Sequence, residues 1–134
     1  MSITLGNDAV GAMVALINAA NLTGFTGRAY FYERPGKLSG EYIVVNHLPF
    51  VHREAVEEGI VNVNIHVPRL STNEPDAKRL HTLASEVAAL VDPRGSYLAN
   101  TYIEFYADSR PVEDNDGTYY VNLQFKVYYN NLNY

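Results

Sequence analysis

The side chains of this chain best suited to hold a metal ion or move a proton are four histidines, His47, His52, His66 and His81, and the nearby carboxylates Glu54, Glu57 and Glu58. No two of the histidines have the i, i+4 spacing that sets two ligands on one helix face. His66 alternates with Asn62 and Asn64 in a strand-like run, where a histidine is satisfied without a metal. Glu113-Asp114-Asn115-Asp116-Gly117 has the oxygen-rich composition of a calcium loop. An EF-hand, however, needs a glutamate six residues after its glycine, and that position is Leu123. A polar hairpin tip is the simpler reading. The chain has no Gly-x-Ser-x-Gly elbow, Walker loop or dinucleotide fingerprint, and no cysteine for a nucleophile, a thiolate zinc site or an iron-sulfur centre. The expectation is a protein that is not an enzyme, with no catalytic residue, no metal and no cofactor.

The whole composition points the same way. A chain of 134 residues with 47% hydrophobic residues makes one domain, residues 1–134, able to bury a core without disulfides or a metal. A formal charge of -5 provides no basic footprint for nucleic acid as the main ligand. Met1 to Asp8 carries no basic stretch, and Gly11 and Asn18 interrupt the apolar run from Ala9 to Ala20. The start reads as neither a signal peptide nor a membrane span, and the lack of cysteine agrees with synthesis in the cytosol.

Hydrophobic periodicity sets out the elements. Val10, Met13, Val14, Leu16 and Ile17 fall at helical spacing and predict a helix over residues 8–20, capped by Asn7 or Asp8 and stopped by Gly24. Arg28 to Glu33 and Glu41 to His47 read as short strands separated by Arg34-Pro35-Gly36. Val61, Val63, Ile65 and Val67 then alternate without a miss with Asn62, Asn64 and His66, and Pro68 closes that strand. Asp76 and Pro75 open a second helix whose stripe is Leu80, Leu83, Val87, Leu90 and Val91, and Asp92-Pro93-Arg94-Gly95 ends it. Two more strands follow, Thr101 to Tyr106 and Tyr119 to Tyr129, joined by the acidic loop Asp108 to Gly117. The predicted fold is α+β, a mostly antiparallel five-stranded sheet with two helices packed on one face, in the order α-β-β-β-α-β-β.

Both helices need an apolar partner, so they cover one sheet face and leave the other partly polar. That second face carries Tyr120, Asn122, Gln124, Lys126 and Tyr128 from the last strand, beside Asn62, Asn64 and His66. Tyrosine with few charges is the composition of a contact surface, so these five residues of the last strand are the candidate subunit interface. The plainer reading is an ordinary outer face on which tyrosine has good strand propensity. A different class of function, binding a small molecule in a sheet-helix cleft, would use Tyr30, Tyr32, His47 and His66.

The run Glu58-Gly59-Ile60-Val61-Asn62-Val63-Asn64-Ile65-His66-Val67-Pro68, followed by a short Asn/Pro loop and the helix Asp76 to Val91, resembles the tail terminator and tail-completion (head-tail joining) proteins of long-tailed bacteriophages. The likeness reaches the level of residues over Glu58 to Val91 and the level of element order from Asn7 to about Tyr129. It implies a virion protein of the tail or neck, assembled in the host cytoplasm. Such a protein forms a homohexameric ring that caps the tail tube, ends its polymerisation and joins it to the head connector. Its partners would be the tail tube protein and the connector or neck proteins, with DNA passing through unbound and no membrane involved. Under this resemblance Glu113, Asp114 and Asp116 are candidates for a loop facing the lumen or the next ring, and His52, Arg53 and Glu54 for a docking loop. A head-closure or connector protein is the near alternative.

Overall fold

The computed structural model describes residues 5–34, 36, 40–50, 56–91 and 101–130. In chain order these form α1 (Gly6–Ala19), β1 (Ala29–Phe31), β2 (Tyr42–His47), β3 (Val56–Pro68), α2 (Ala77–Leu90), β4 (Thr101–Asp108), β5 (Val112–Glu113) and β6 (Thr118–Asn130). The strands lie side by side as β1-β2-β3-β6-β4, with β5 also pairing with β6. The fold is α+β, as predicted, but the sheet has six strands and is mixed. β1 runs parallel to β2, Ala29 beside Ile43 and Phe31 beside Val45, and the remaining pairings are antiparallel. A strand of three residues, Ala29-Tyr30-Phe31, carries no sign of its direction. The direction is set where Tyr32 takes a left-handed φ of 62°, its N–H donating to the Val45 carbonyl at 2.8 Å and its hydroxyl to Asn7 at 2.9 Å. The sixth strand lies inside the acidic loop, where Val112 and Glu113 pair with Tyr120 and Tyr119.

Element ends also differ from the reading of the sequence. α1 begins at Gly6 with Leu5 as its N-cap residue, and Asp8 sits in the first turn with its carboxylate accepting the Leu5 N–H at 2.9 Å. That is the back-bonding half of a capping box, not an N-cap. α1 stops where Ala20 turns extended, while Gly24, at φ 66°, turns the connection that follows. β3 begins at Val56, five residues before the alternating run, because β6 pairs with it along its full length of 13 residues. Of the expected docking loop, Glu57 and Glu58 therefore lie in a strand, and His52, Arg53 and Glu54 lie outside the described residues. The Asp92 to Gly95 helix stop lies outside them as well.

The odd-numbered residues of β3 and β6 form the floor of the core: Val61, Val63, Ile65, Val121, Leu123, Phe125 and Val127 are all buried. Met13 and Ile17 of α1 and Leu80, Leu83 and Val87 of α2 cover them. Polar side chains fix where the helices sit. Arg79 of α2 grips Glu41, just before β2, with a fork of two bonds, Nε to Oε2 at 2.5 Å and Nη2 to Oε1 at 2.8 Å, the geometry that guanidinium and carboxylate share. Glu86 of α2 accepts the Thr23 N–H at 2.7 Å. Gly27 permits the β1 approach: a Cβ there would lie 2.1 Å from the Glu41 carbonyl oxygen. The predicted core is tested at Ile65, which is fully buried. Ile65→Ala should lower unfolding stability by about 2–5 kcal/mol in urea titrations followed by circular dichroism; a change within 0.5 kcal/mol would mean that the position is not core.

Candidate functional site

The opposite face of the sheet is built from the even-numbered residues, and the strand register aligns them into rows. Tyr42, His66 and Tyr120 form one row and Val44, Asn64 and Asn122 the next. Asn46, Asn62 and Gln124 follow, and Lys126 and Tyr128 sit beside Glu104 and Tyr102 of β4. The helices lie on the other side, so this face takes no part in their packing. All five candidate interface residues of β6 lie on it, each half-buried.

Its centre is a lattice of amides. Asn62 Nδ2 donates to Asn46 Oδ1 at 3.0 Å, and Asn62 Oδ1 accepts from Gln124 Nε2 at 3.1 Å and Asn122 Nδ2 at 3.3 Å. Asn122 Nδ2 also donates to Asn64 Oδ1 at 2.8 Å. Cross-strand bonds of this kind hold each amide in one orientation. At the β4 side, Tyr128 stacks on Tyr102 with ring centroids 4.7 Å apart and donates its hydroxyl to Glu104 at 2.7 Å. The bond to that carboxylate, with lesser help from burial, pushes the Tyr128 phenol up to about 12. Lys126 lies 4.4 Å from the Tyr106 ring centroid and 3.5 Å from Glu58.

The other end of the face holds a charged cluster. His66 is 6% exposed, stacked on Tyr42 at 4.3 Å with Tyr120 on its other flank at 5.0 Å. The Thr118 hydroxyl has one proton and gives it to Asp116 Oδ1 at 2.5 Å, so the 3.1 Å contact between His66 Nδ1 and Thr118 Oγ1 requires His66 to donate from Nδ1. Asp116 also accepts from the Thr118 N–H at 3.0 Å, from the Tyr42 hydroxyl, and lies 3.6 Å from Arg34 Nε. Burial alone would raise the Asp116 carboxyl, but the bonds from Thr118 and Tyr42 outweigh it and hold it below the usual carboxylate range. Burial, then the bond to Asp116, raises the Tyr42 phenol. Burial lowers His66, with Asp114 and Asp116 opposing.

His66, Asp114 and Asp116 can present ligand atoms within 4.8 Å of one another. A cation there would have to displace Arg34 and break the donor set around Asp116, since a carboxylate that accepts three hydrogen bonds has little left to give. The cluster's own donors thus satisfy it. Of the acidic loop, Asp116 and Asp114 turn back onto the sheet, Asp114 Oδ2 lying 3.6 Å from His66 Nδ1, and Glu113 is exposed on β5. Sequence reasoning missed Arg34, Tyr42 and Thr118, which reach the cluster from separate segments. Tyr102, Glu104 and Tyr106 alternate along β4 in the sequence, but sequence reasoning did not assign them to the face that they continue. The proposed cleft residues divide between the two faces: Tyr32 meets His47 edge to face at 5.8 Å near the start of α1, whereas Tyr30, beside Val44 in the sheet, shares the opposite face with His66. Open depressions of about 230, 270 and 190 Å³ lie elsewhere, beside Asn18 and Arg28 or between α2 and the β4 side.

No protein-family model matches the chain, and no curated protein matches its sequence. Among the described residues no helix is long and apolar enough to cross a membrane.

The cluster makes stability depend on pH. His66 titrates below its ordinary value of about 6.5 in the fold, so as pH falls the unfolded chain takes up its proton first. The stability His66 contributes is whole above about pH 6.5 and is lost as pH falls from there to the folded value. His66→Gln, which cannot titrate, should flatten unfolding midpoints between pH 7 and pH 5; an unchanged slope would place the titrating group elsewhere.

Proposed function

We propose that this chain is a structural subunit that assembles with copies of itself into a closed ring through its outer sheet face. Following its resemblance to tail terminator and tail-completion proteins, we propose that the ring ends and joins a phage tail. The observation that carries the assembly reading is the amide lattice flanked by tyrosines. Its charged members are engaged within the chain, Lys126 with Glu58, Asp116 with Arg34 and Glu104 with the Tyr128 hydroxyl, which lowers the cost of covering them. Its amides are held in place by one another, which reduces the ordering cost on docking. Tyr120 and Tyr128 supply broad, rigid contact area with a polar tip.

A contact that joins this face to a different surface of the next copy is heterologous and closes into a ring when the rotation per copy permits. In the tail reading the ring has six copies, sits on the tail tube protein and meets the head connector or neck proteins within the virion. The formal charge of -5 suits a passage through which DNA moves without adhering.

Light scattering on the purified protein across a range of concentrations tests assembly directly. The wild type should give a ring of several copies that binds tail tube protein. Tyr120→Ala combined with Tyr128→Ala should weaken assembly by a few kcal/mol, on the order expected for interface anchors, while the subunit still folds. A wild type that stays monomeric at every concentration would remove the ring. A double variant that assembles as the wild type does would move the contact to another surface.

A further inference from the structure

The two edges of the sheet are treated differently. At β1 the edge is sealed: Asn18 of α1 accepts the Ala29 N–H through Oδ1 at 2.8 Å and donates from Nδ2 to the Ala29 carbonyl at 3.2 Å. The Phe31 carbonyl accepts the Glu33 N–H at 2.6 Å. A side-chain amide thus occupies the backbone groups that an incoming strand would use, one of the ways edges are protected. At the other end β4 extends over 8 residues. Among the described residues no strand pairs with its outward side, and Tyr102, Phe105 and Tyr106 stand exposed along it. A long edge with aromatic side chains on both faces is a template for strand addition.

We propose that β4 pairs antiparallel with β4 of a second copy across a two-fold axis, continuing the sheet from one subunit into the next, with Tyr102 opposite the partner's Glu104. In an assembly of identical chains the sealed β1 edge leaves the β4 side as the edge for β4 to meet. Charge then selects the register. A two-fold that continues the sheet keeps outer face with outer face, so even residues oppose even residues. With Glu104 on the axis, two carboxylates would face each other, which is destabilising. With Phe105 on the axis, the pairing would run into the bulge between Phe105 and Ala107. With Ile103 on the axis, each Glu104 instead stands opposite a tyrosine of the partner, a hydroxyl donor of the kind that Glu104 already accepts, on the diagonal, from Tyr128 within the chain.

This contact is isologous and stands apart from the ring reading, whose contacts are heterologous.

The chain has no cysteine, so introduced thiols report the register directly. Tyr102→Cys and Glu104→Cys proteins, mixed and oxidised, should form a disulfide dimer of one with the other, because directly opposed residues bring Cβ atoms within disulfide reach. Neither should cross-link with itself. Self-linking of Glu104→Cys, or no cross-link in the mixture, would overturn the proposal. Should a cysteine variant fail to fold, light scattering decides: the wild type should contain an even number of chains, and Tyr102→Glu, which sets a carboxylate against the partner's Glu104, should halve its mass. An odd number, or an unchanged mass in Tyr102→Glu, would overturn it. Loss of rings in the variant combining Tyr120→Ala with Tyr128→Ala bears on the outer face. If the wild type forms no ring at all, the mixed cysteine dimer is still expected.

Discussion

The pairing of β3 with β6 is the constraint on which the rest of the molecule depends. Thirteen residues of each strand align without a slip, from Val56 beside Asn130 to Pro68 beside Thr118. Because side chains alternate with period two, a shift of one residue would carry every valine and leucine of the core face into solvent and every asparagine into the core. The register therefore fixes both faces at once. It seats Ile65 and Val121 under the helices and aligns Asn62, Asn64, Asn122 and Gln124 closely enough to bond one another. It also sets His66 beside Tyr120 at one end and Glu58 beside Tyr128 at the other.

The two faces then meet different demands. The core face is held by burial and needs only apolar side chains of suitable size. The outer face has no helix over it, and its polar side chains satisfy one another instead: amide with amide, tyrosine with carboxylate, lysine with glutamate and ring. Partial networks are costly when they are dehydrated, because each unpaired group loses water without replacement. A face whose groups are already paired can be covered by another protein with little such loss, and the proposed assembly relies on that property. The sheet edges divide along similar lines, one closed by the Asn18 amide and the other left with aromatic side chains.

Much of this was legible in the sequence because it is periodic. The alternation of Val61 to Val67 and of Tyr119 to Tyr129 predicted two strands, their core faces and the candidate contact residues, and the Leu80, Leu83, Val87 stripe predicted α2. Asp116-Gly117 marked a tight turn, and Gly117 has φ 82°. What was not legible depends on contacts distant in sequence. Glu57, Glu58 and Gly59 break the apolar alternation, so the extension of β3 to Val56 arises from pairing with β6 and not from local pattern. The parallel course of β1 depends on one turn at Tyr32. The cluster around Asp116 gathers Arg34, Tyr42, His66 and Thr118 from four segments, and nothing in the spacing of those residues announces it. The loop acids looked like a solvent-facing tip, whereas hydrogen bonds draw Asp116 onto the sheet.

Hydroxyl-radical footprinting of the tyrosines, comparing dilute protein with the assembled state, tests the central claim most directly, since it reads the outer face residue by residue without altering it. Tyr120 and Tyr128 should become strongly protected on assembly while Tyr32, beside α1 on the other side of the sheet, keeps its reactivity. Unchanged reactivity of Tyr120 and Tyr128 in an assembled particle would contradict the outer face as the surface through which the subunits join.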